Sequence, residues 1–324
     1  MRILVTGAAG HLGEALVATL PVEGHDVVGL DVLASPTTHI VGSVSDRSAV
    51  RRALDGVDAV LHTATLHKPH VGSHPRQAFV DTNITGTLTL LEESVAAGVG
   101  RFVFTSTTSA FGRALTPASG APAAWITEHV RSLPRNVYGA TKTAAEDLCE
   151  LVARDAQLPC VVLRTSRFFP EGDDDDAVRS GYDDTNVKVN ELLYRRVDLE
   201  DVVAAHRMAL QAAPRLGFGR YIISASTPFT VDDLAELATD APAVVRRLFP
   251  DVGQVYGRRG WRMFPTIDRV YVSTAAREDL GWTSTWDFRF ALDRLAAGEQ
   301  PRSALATQIG AKGYHGRPTG PYTT

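Results

Sequence analysis

The chain has 324 residues, of which 44% are hydrophobic and 22% are charged, and its formal net charge is −4. This composition is that of a water-soluble globular protein with one large or two smaller domains, and the mild acidity argues against a nucleic-acid partner or an anionic membrane surface. No apolar stretch approaches the roughly 20 residues of a membrane span. Because Cys149 and Cys160 are the two cysteines, we expect a cytoplasmic protein without a disulfide framework.

The first half of the chain alternates short apolar runs rich in β-branched residues with helical patterns. This alternation predicts an α/β fold of Rossmann type, with a doubly wound parallel sheet. We predict strands at residues 2–6, 26–30, 59–62, 101–106 and 160–164. We predict helices at residues 13–20, 48–54, 77–97 and 138–153.

The character of the chain changes after residue 164. A polar segment follows, with aspartates at 173–176, 183 and 184 whose spacing is not that of a calcium loop, so we expect a solvated surface. A helix is predicted at 195–213 and a strand at 220–225. The sheet domain is therefore assigned to residues 1–165 plus about 196–226. Residues 166–195 and 227–324 are assigned to a smaller, mainly C-terminal lobe whose tail, from Pro301, is a wrapping or mobile arm.

A glycine fingerprint follows the first strand, with Gly7, Gly10 and Gly13 in the segment Thr6-Gly7-Ala8-Ala9-Gly10-His11-Leu12-Gly13. These glycines permit a tight turn, close approach of a pyrophosphate and helix–strand packing, as a dinucleotide requires. Asp31 ends the next strand, where a carboxylate binds the adenosine ribose. Because no Lys or Arg occurs at 32–42 to hold a further phosphate, we predict NAD rather than NADP. The alternative is a structural turn with a solvent-facing aspartate.

Tyr138 and Lys142 form a Tyr-x-x-x-Lys pair about a hundred residues after the fingerprint. The spacing puts phenol and ammonium on one face of a helix. A lysine beside a tyrosine favours the phenolate, so this tyrosine could act as a base nearer neutrality. Behind a dinucleotide turn, the pair predicts hydride chemistry at a carbinol carbon.

These residues and four further motifs resemble the extended short-chain dehydrogenase/reductase superfamily, specifically its NAD-dependent epimerase/dehydratase group. The further motifs are Leu61-His62-Thr63-Ala64-Thr65, Asn83-Ile84-Thr85-Gly86-Thr87, the segment from Phe102 to Gly112 with Thr105-Ser106-Thr107, and Leu280-Gly281-Trp282. The resemblance covers most of the chain. It implies the fold more strongly than the substrate.

The resemblance implies three catalytic residues. Thr107 would hydrogen-bond the reacting oxygen, Tyr138 would take the hydroxyl proton, and Lys142 would hold the nicotinamide ribose. The predicted cofactor contacts are Gly7, Gly10, His11, Leu12, Gly13, Asp31, Ser43, Val44, Thr63, Ala64, Thr65, Asn83, Thr105, Tyr138, Lys142, Thr165 and Phe168. Two alternatives stay open: Asn83 as a helix N-terminal cap, and Thr105 as an ordinary strand residue.

The predicted substrate contacts are His67, Thr107, Thr108 and Arg167. Arg167 stands where many nucleotide-sugar epimerases have asparagine, and the stretch 167–197 is shorter than their nucleotide-binding insert. Residues 168–171 resemble compact uronate-dehydrogenase-like members instead. The Arg167 guanidinium suits a carboxylate or phosphate. Its alternative is a salt bridge to the acidic segment.

Three histidines, His67, His70 and His74, follow the third predicted strand. We predict no metal there, since the family mechanism needs none, and expect His67 to contact substrate. Three further side chains are left open between cleft and core: Tyr194, Trp261 and Arg262.

The sequence thus predicts an NAD-dependent oxidoreductase acting on a hydroxyl or carbonyl carbon of a small, sugar-derived substrate. One alternative is an epimerase or dehydratase that retains NAD without net redox change. A second is a non-catalytic NAD-binding regulator. We expect a homodimer formed through the helices at 77–97 and 138–153, with no nucleic-acid or membrane partner.

Overall fold

The computed structural model describes residues 1–173 and 175–312. Seven parallel strands form the main sheet in the order β3-β2-β1-β4-β5-β7-β8. Their bounds are β1 Arg2–Thr6, β2 Asp26–Asp31, β3 Ile40–Val41, β4 Ala59–His62, β5 Arg101–Thr107, β7 Cys160–Thr165 and β8 Phe218–Ile223. A separate two-stranded parallel sheet pairs β6 (Ala124–Ile126) with β9 (Arg269–Tyr271). The predicted doubly wound α/β fold is confirmed.

Helices cover both faces of the main sheet, and two apolar clusters fill the space between. The helices are α1 His11–Thr19, α2 Arg47–Ala53, α3 Arg76–Phe79, α4 Gly86–Ala96, α5 Val137–Asp155, α6 Asp176–Gly181, α7 Asp184–Glu191, α8 Leu199–Leu216, α9 Leu234–Leu248, α10 Val252–Gly257, α11 Phe288–Ala296 and α12 Ala304–Ile309. Helices α9 to α11 share a third cluster with α7. That cluster is the core of the smaller lobe.

The helix predicted at 77–97 is confirmed from Arg76 to Ala96, but its winding is not uniform. Helix α3 passes into a π-helical turn at Val80–Thr85 before α4 begins. The wider turn places Asn83 inward, where its side chain makes four hydrogen bonds. Periodicity at 3.6 residues per turn does not register such a local change of winding.

The helix predicted from residue 195 begins later, at Leu199, where Asp198 caps it by accepting from the Glu200 amide. Arg196 instead forms an isolated bridge with Arg167. The last strand of the sheet, β8, begins at Phe218 rather than 220. The spacing of apolar residues is the same before and after the capping residue Asp198, so the sequence pattern does not show where this helix begins.

The prediction of a solvated acidic segment is wrong for Asp173. Its side chain is buried and pairs with Arg167 at 2.7 Å and Arg195 at 3.0 Å. Asp175 and Asp183 are helix N-terminal caps, and the exposed Asp184 pairs with Lys188. Asp174 lies outside the described residues. The sequence of an acidic run does not indicate which of its carboxylates pairs with a buried cationic side chain.

The C-terminal segment returns to the main sheet through α12, which packs against α1 and α8. Lys312 then donates its amide to the Glu171 carboxylate at 2.9 Å and pairs with Glu14. The described part of the predicted arm therefore lies against the first helix. Residues 313–324 of that arm lie outside the described residues.

Candidate active site

The glycine turn lies between the end of β1 and the start of α1. Gly10 donates to the Gly7 carbonyl at 3.0 Å, and Glu14 makes the first intrahelical bond to Gly10. A Cβ atom on Gly13 would lie 1.9 Å from the Gly7 oxygen, so only glycine permits this helix-to-turn packing. The amides at positions 11–13 belong to the first helical turn, the place where helices bind phosphate.

Asp31 ends β2 directly beside this turn. Its carboxylate accepts from the Ala9 amide at 3.0 Å and from the Leu33 amide at 2.9 Å. A carboxylate has about four acceptor sites, so two remain for hydroxyl groups. The glycine turn and Asp31 together fit the pyrophosphate and adenosine ribose of a dinucleotide.

The loop after β4 borders the same turn. Thr63 donates its hydroxyl to the Thr6 carbonyl at 2.7 Å, and the Ala64 amide donates to the Thr6 hydroxyl at 3.2 Å. Burial lowers the pKa of His62 to about 3, with Lys142 adding to the effect, so its ring is neutral. The sheet therefore holds residues 63–65 against Gly7 with neutral hydrogen bonds.

Asn83 braces that loop against helix α5. Its oxygen accepts from Thr65 Oγ1 at 3.0 Å and the Leu66 amide at 2.9 Å. Its nitrogen donates to the Leu66 carbonyl at 2.9 Å and to Thr141 Oγ1 at 3.0 Å. The alternative of a helix N-terminal cap is wrong, because Asn83 lies inside the π-helical turn. Both polar atoms of the Asn83 side chain are therefore bonded within the protein. Its contact with the cofactor stays a prediction.

Thr107 and Tyr138 meet at the end of β5. Thr107 Oγ1 accepts from the Ser109 amide at 3.1 Å, which leaves its hydroxyl proton for a further acceptor. Burial raises the pKa of Tyr138 to about 12, and the Thr107 hydrogen bond opposes this rise. A Cβ on Gly139 would lie 2.9 Å from the Ser109 carbonyl, so glycine lets the start of α5 approach this close.

Lys142 lies one helical turn beyond Tyr138 and is almost fully buried. Its Nζ donates to the Thr105 carbonyl at 2.6 Å and lies 3.8 Å from the centre of the Phe104 ring. Burial lowers the pKa of Lys142 to about 7, against the opposing charges of Glu146 and Cys149. The expectation that Lys142 draws the pKa of Tyr138 below its usual value is wrong for the protein alone, because desolvation outweighs every other contribution.

Several predicted cofactor contacts are occupied within the protein. Thr105 Oγ1 hydrogen-bonds His206 at 2.7 Å, Thr165 Oγ1 donates to the Ser106 carbonyl at 3.0 Å, and Ser43 pairs with Ser45 at 2.7 Å. Val44 is a core residue, and Phe168 is half-buried against the main core. Thr108 is buried at the first position after Thr107. Their contacts with a cofactor or substrate stay predictions.

His11 and Leu12 open helix α1 and are buried. His11 Nε2 lies 2.9 Å from Glu171 Oε1, which joins the glycine turn to the loop after β7. Because the loop after β7 is the predicted substrate region, the structure brings the two predicted subsites into contact.

Arg167 follows β7 and forms the salt bridge that was its alternative role. Its Nη1 lies 2.7 Å from Asp173 and 3.3 Å from Glu191. Arg195 and Arg196 pair with the same buried Glu191, at 2.8 and 2.7 Å. Nη1 of Arg167 is therefore paired with carboxylates of the chain, and the contact of this residue with substrate stays a prediction.

The three histidines form a ladder of rings rather than a converging set. His67 lies 4.7 Å from His70 and 5.1 Å from Phe169 between ring centres, and His70 lies 4.9 Å from His74. Among residues 1–173 and 175–312, no group of three His, Cys, Asp or Glu side chains could hold a metal ion. Substrate contact by His67 stays a prediction.

The three side chains left open belong to the smaller lobe. Tyr194 is buried in its core, and Trp261 packs edge-on against Tyr256 at 5.6 Å. Arg262 stacks on Tyr182 at 4.4 Å and donates to the Gly181 carbonyl at 2.6 Å. All three have structural roles here.

The polar network beneath the site was not predicted from the sequence. Thr141 links Asn83 to the catalytic helix, and Thr6 links β1 to His62 at 2.7 Å. Each threonine directly precedes a motif residue, Gly7 or Lys142, and this position is the feature of the sequence that could have pointed to them. Their partners are far away in sequence, so no local pattern identifies the bonds.

Residues 3–222 match the model of the NAD dependent epimerase/dehydratase family. The 2-alkyl-3-oxoalkanoate reductase of Stenotrophomonas maltophilia is 35% identical over 181 residues, 53% of this chain and 52% of that protein. The UDP-glucose 4-epimerase of Erwinia amylovora is 30% identical over 190 residues, 53% of this chain and 54% of that protein. The chain thus spans about half the length of the curated relatives it matches.

A solved short-chain dehydrogenase/reductase superfamily protein from Agrobacterium tumefaciens, with bound NAD, is similar over most of both chains. Its TM-score is 0.63 at 26% identity, covering 92% of this chain and 96% of that one. In the described part of the chain, no helix is long and apolar enough to cross a membrane. The family model covers well over half of the sequence, and the fold and the glycine turn agree with it. The chain belongs to the NAD dependent epimerase/dehydratase family of extended short-chain dehydrogenases/reductases.

Proposed function

We propose that this chain is an NAD-dependent oxidoreductase that moves a hydride between NAD and a hydroxyl or carbonyl carbon of a small, sugar-derived substrate. Thr107, Tyr138 and Lys142 are its catalytic residues. The observation that carries the proposal is the placement of Lys142, one helical turn beyond Tyr138, with its Nζ donating at 2.6 Å to the Thr105 carbonyl two residues before Thr107.

The position of these residues in the sheet supports the proposal. Strand β5 pairs with β4, whose following loop lies against the glycine turn. Ligands of doubly wound sheets bind at the carboxyl ends of the strands. A dinucleotide on the glycine turn and Asp31 would therefore extend towards Tyr138.

The chemistry assigned to the chain is proton transfer and positioning. NAD, when bound, supplies the hydride acceptor. Tyr138 removes the hydroxyl proton of the substrate, and Thr107 donates to the reacting oxygen or to the phenolate. The ammonium of Lys142 stabilises the negative charge that develops on Tyr138. The low accessibility of all three side chains keeps water from this step.

Three observations bear on the substrate class. The segment between β7 and α8 is compact, with two short helices, α6 and α7. The relatives named above include a reductase of oxo acids and a nucleotide-sugar epimerase. Since Arg167 is paired with carboxylates, we favour a neutral sugar or lactol over an anion held by that residue.

The test is NADH formation, followed at 340 nm, from NAD and a panel of aldoses, uronic acids and UDP-hexoses. A stoichiometric rise with one free sugar or sugar acid supports the proposal. Tyr138→Phe serves as the matched control and should abolish the rise.

The family also contains enzymes that return the hydride to the same substrate. If a UDP-hexose is epimerised or dehydrated without net NADH, the dehydrogenase proposal is overturned in favour of that reaction. Saturating NAD binding with no conversion across the panel, and none in the reverse direction from NADH and oxo acids, would favour the non-catalytic alternative.

A further inference from the structure

A buried carboxylate lies one helical turn beyond Lys142. Glu146 is 0% exposed. Its Oε1 accepts from Ser106 Oγ at 2.5 Å, and its Oε2 accepts from Arg164 Nη2 at 2.6 Å. Arg164 Nε lies 3.1 Å from both oxygens, and Arg220 Nε lies 3.5 Å from Oε2. One side chain of α5 is therefore bonded to β5 and β7 and faces β8.

The partners of Glu146 adjoin the catalytic residues. Ser106 directly precedes Thr107, and it lies in register with Arg164 across the β5–β7 pair. Tyr138, Lys142 and Glu146 follow at intervals of four, so they share one face of α5. The carboxylate thus joins the strand that carries Thr107 to the helix that carries the other two residues.

A plain structural role for Glu146 is to neutralise Arg164. That arginine also packs over the Phe111 ring at 4.8 Å and donates to Ser132 at 3.3 Å. Charge neutralisation explains the bonds from Arg164. It explains neither the bond from Ser106 nor the position one turn from Lys142.

The titratable groups that face Lys142 come from two elements. Glu146 and the buried thiol of Cys149 lie on its own helix, and His62 lies on β4. Burial lowers the pKa of Lys142, and Glu146 opposes this more strongly than Cys149 does. His62 is neutral because burial depresses its pKa to about 3. Beyond Glu146 lie Arg164 and Arg220, which are cationic and cannot favour the Lys142 ammonium.

We propose that Glu146 is a positioning residue of the active site: its bonds to Ser106 and Arg164 hold α5 against β5 and β7, and its carboxylate is the counter-charge of the Lys142 ammonium one helical turn away. This inference rests on the proposed function for the role of Lys142. Loss of that charge would lower the pKa of Lys142 further and so weaken its stabilisation of the Tyr138 phenolate. The proposal therefore concerns a residue that touches neither substrate nor cofactor.

The first test reads Lys142 directly. The chain has four lysines, Lys68, Lys142, Lys188 and Lys312, so protein labelled with ¹³C at lysine Cε gives a spectrum simple enough to assign. Lys142→Arg identifies the signal. In Glu146→Gln, we expect the titration midpoint of Lys142 to fall by about one pH unit or more, since an opposite charge at this range changes a pKa by about 1–3.

The matched control is Glu150→Gln, one turn further along α5, where the carboxylate is exposed and pairs with Arg220 at 2.7 Å. In Glu150→Gln, the titration midpoint of Lys142 should stay at the wild-type value. Glu146→Asp keeps the charge and should restore most of the midpoint, and it carries the test if Glu146→Gln does not fold. An unchanged midpoint in folded Glu146→Gln, or the same change in Glu150→Gln, would overturn the proposal.

The second test uses turnover once a substrate is known. Because a neutral Lys142 disfavours the phenolate, the acid limb of kcat/KM in Glu146→Gln should move to higher pH. The value of kcat/KM at pH 7 should then fall about tenfold for every pH unit by which that limb moves. A uniform loss at every pH would indicate structural damage and contradict the proposal. If no substrate is found, the proposed function fails on its own account, while the lysine titration still decides the role of Glu146.

Discussion

The Lys142 ammonium donates to the main-chain carbonyl of Thr105 at 2.6 Å. This bond ties the middle of α5 to β5 two residues before Thr107, and the Phe104 ring below Nζ adds a cation–π contact at 3.8 Å. The lysine is therefore positioned by the strand that carries Thr107, the proposed catalytic threonine. The relative placement of Thr107, Tyr138 and Lys142 depends on one helix–strand interface.

Tyr138→Phe removes the proposed base and little else, because the ring stays in its pocket. We expect kcat to fall by about 10²–10⁴-fold, the usual contribution of a general base. The affinity for NAD should change by less than about threefold, since one hydroxyl among many contacts is lost. Steady-state kinetics and calorimetric NAD titration measure the two quantities. Unchanged turnover would contradict the assigned mechanism.

Thr107→Ala removes the hydrogen bond that lowers the pKa of Tyr138 against burial. The phenolate then forms only at higher pH, so the acid limb of kcat/KM should move upward. Thr107→Ser keeps the hydroxyl and should retain the wild-type profile. A pH profile that is the same in the alanine variant as in wild type would argue against the bond between the two side chains.

Gly13→Ala introduces a Cβ 1.9 Å from the Gly7 oxygen. Relief requires the turn to move, so we expect a loss of about 1–3 kcal/mol in the free energy of unfolding and at least tenfold weaker NAD binding. Gly253→Ala is the control, because its Cβ meets no atom within 4 Å in helix α10. Chemical denaturation and NAD titration of both variants give the comparison. Equal effects in the two would mean that the close packing of α1 on the turn is unimportant.

Asp31→Asn keeps one acceptor oxygen but removes the charge that would repel a 2′-phosphate. We expect the ratio of NADP to NAD affinity to rise by about tenfold or more, mostly through weaker binding of NAD. Asp26→Asn at the opposite end of β2 is exposed and pairs with Arg2, so it should leave the ratio unchanged. Titration of both cofactors decides this, and an unaltered ratio in Asp31→Asn would remove Asp31 from the ribose site.

Asp201 gives the protein a pH-dependent stability outside the active site. Burial raises its pKa to about 7, although the Thr285 and Trp286 amides donate to it at 2.8 and 2.9 Å. The folded state therefore binds a proton that the unfolded state, with a pKa of 3.8, releases earlier. The contribution of protonated Asp201 to the free energy of unfolding is complete below about pH 4. It is lost as the pH rises to about 7, by on the order of 1.4 kcal/mol per pH unit at most.

Asp201→Asn should flatten the fall of Tm between pH 4.5 and 7.5 relative to wild type. Asp232→Asn, an exposed carboxylate before α9, should leave that slope as it is. Thermal unfolding across the pH range measures both. A steeper slope in Asp201→Asn than in wild type would mean that the amide bonds outweigh burial.

The glycine turn, Asp31 and the Tyr138/Lys142 pair could be identified without coordinates because each depends on local geometry. A turn beside a strand, a strand end and a four-residue helical spacing are short-range patterns. Six of the seven strands of the main sheet were predicted, and β3, with two residues, was not. The π-helical turn within helix 77–97 could not be predicted, because it accompanies a contact between Asn83 and Thr141, which are 58 residues apart.

Charge compensation was likewise decided by the tertiary structure. Arg167 could hold a substrate anion or a carboxylate of the chain, and only the folded protein brings Glu191 and Asp173 to it. The pKa of Tyr138 follows burial rather than the neighbouring lysine, because desolvation depends on everything packed around the phenol. The sequence by itself determined the family and the fold, and it predicted the catalytic residues, because these features are encoded by spacing along the chain. The partners of Arg167, Asp173 and Glu146 were decided by three-dimensional packing, since electrostatic interactions depend on distances between residues that are remote in sequence.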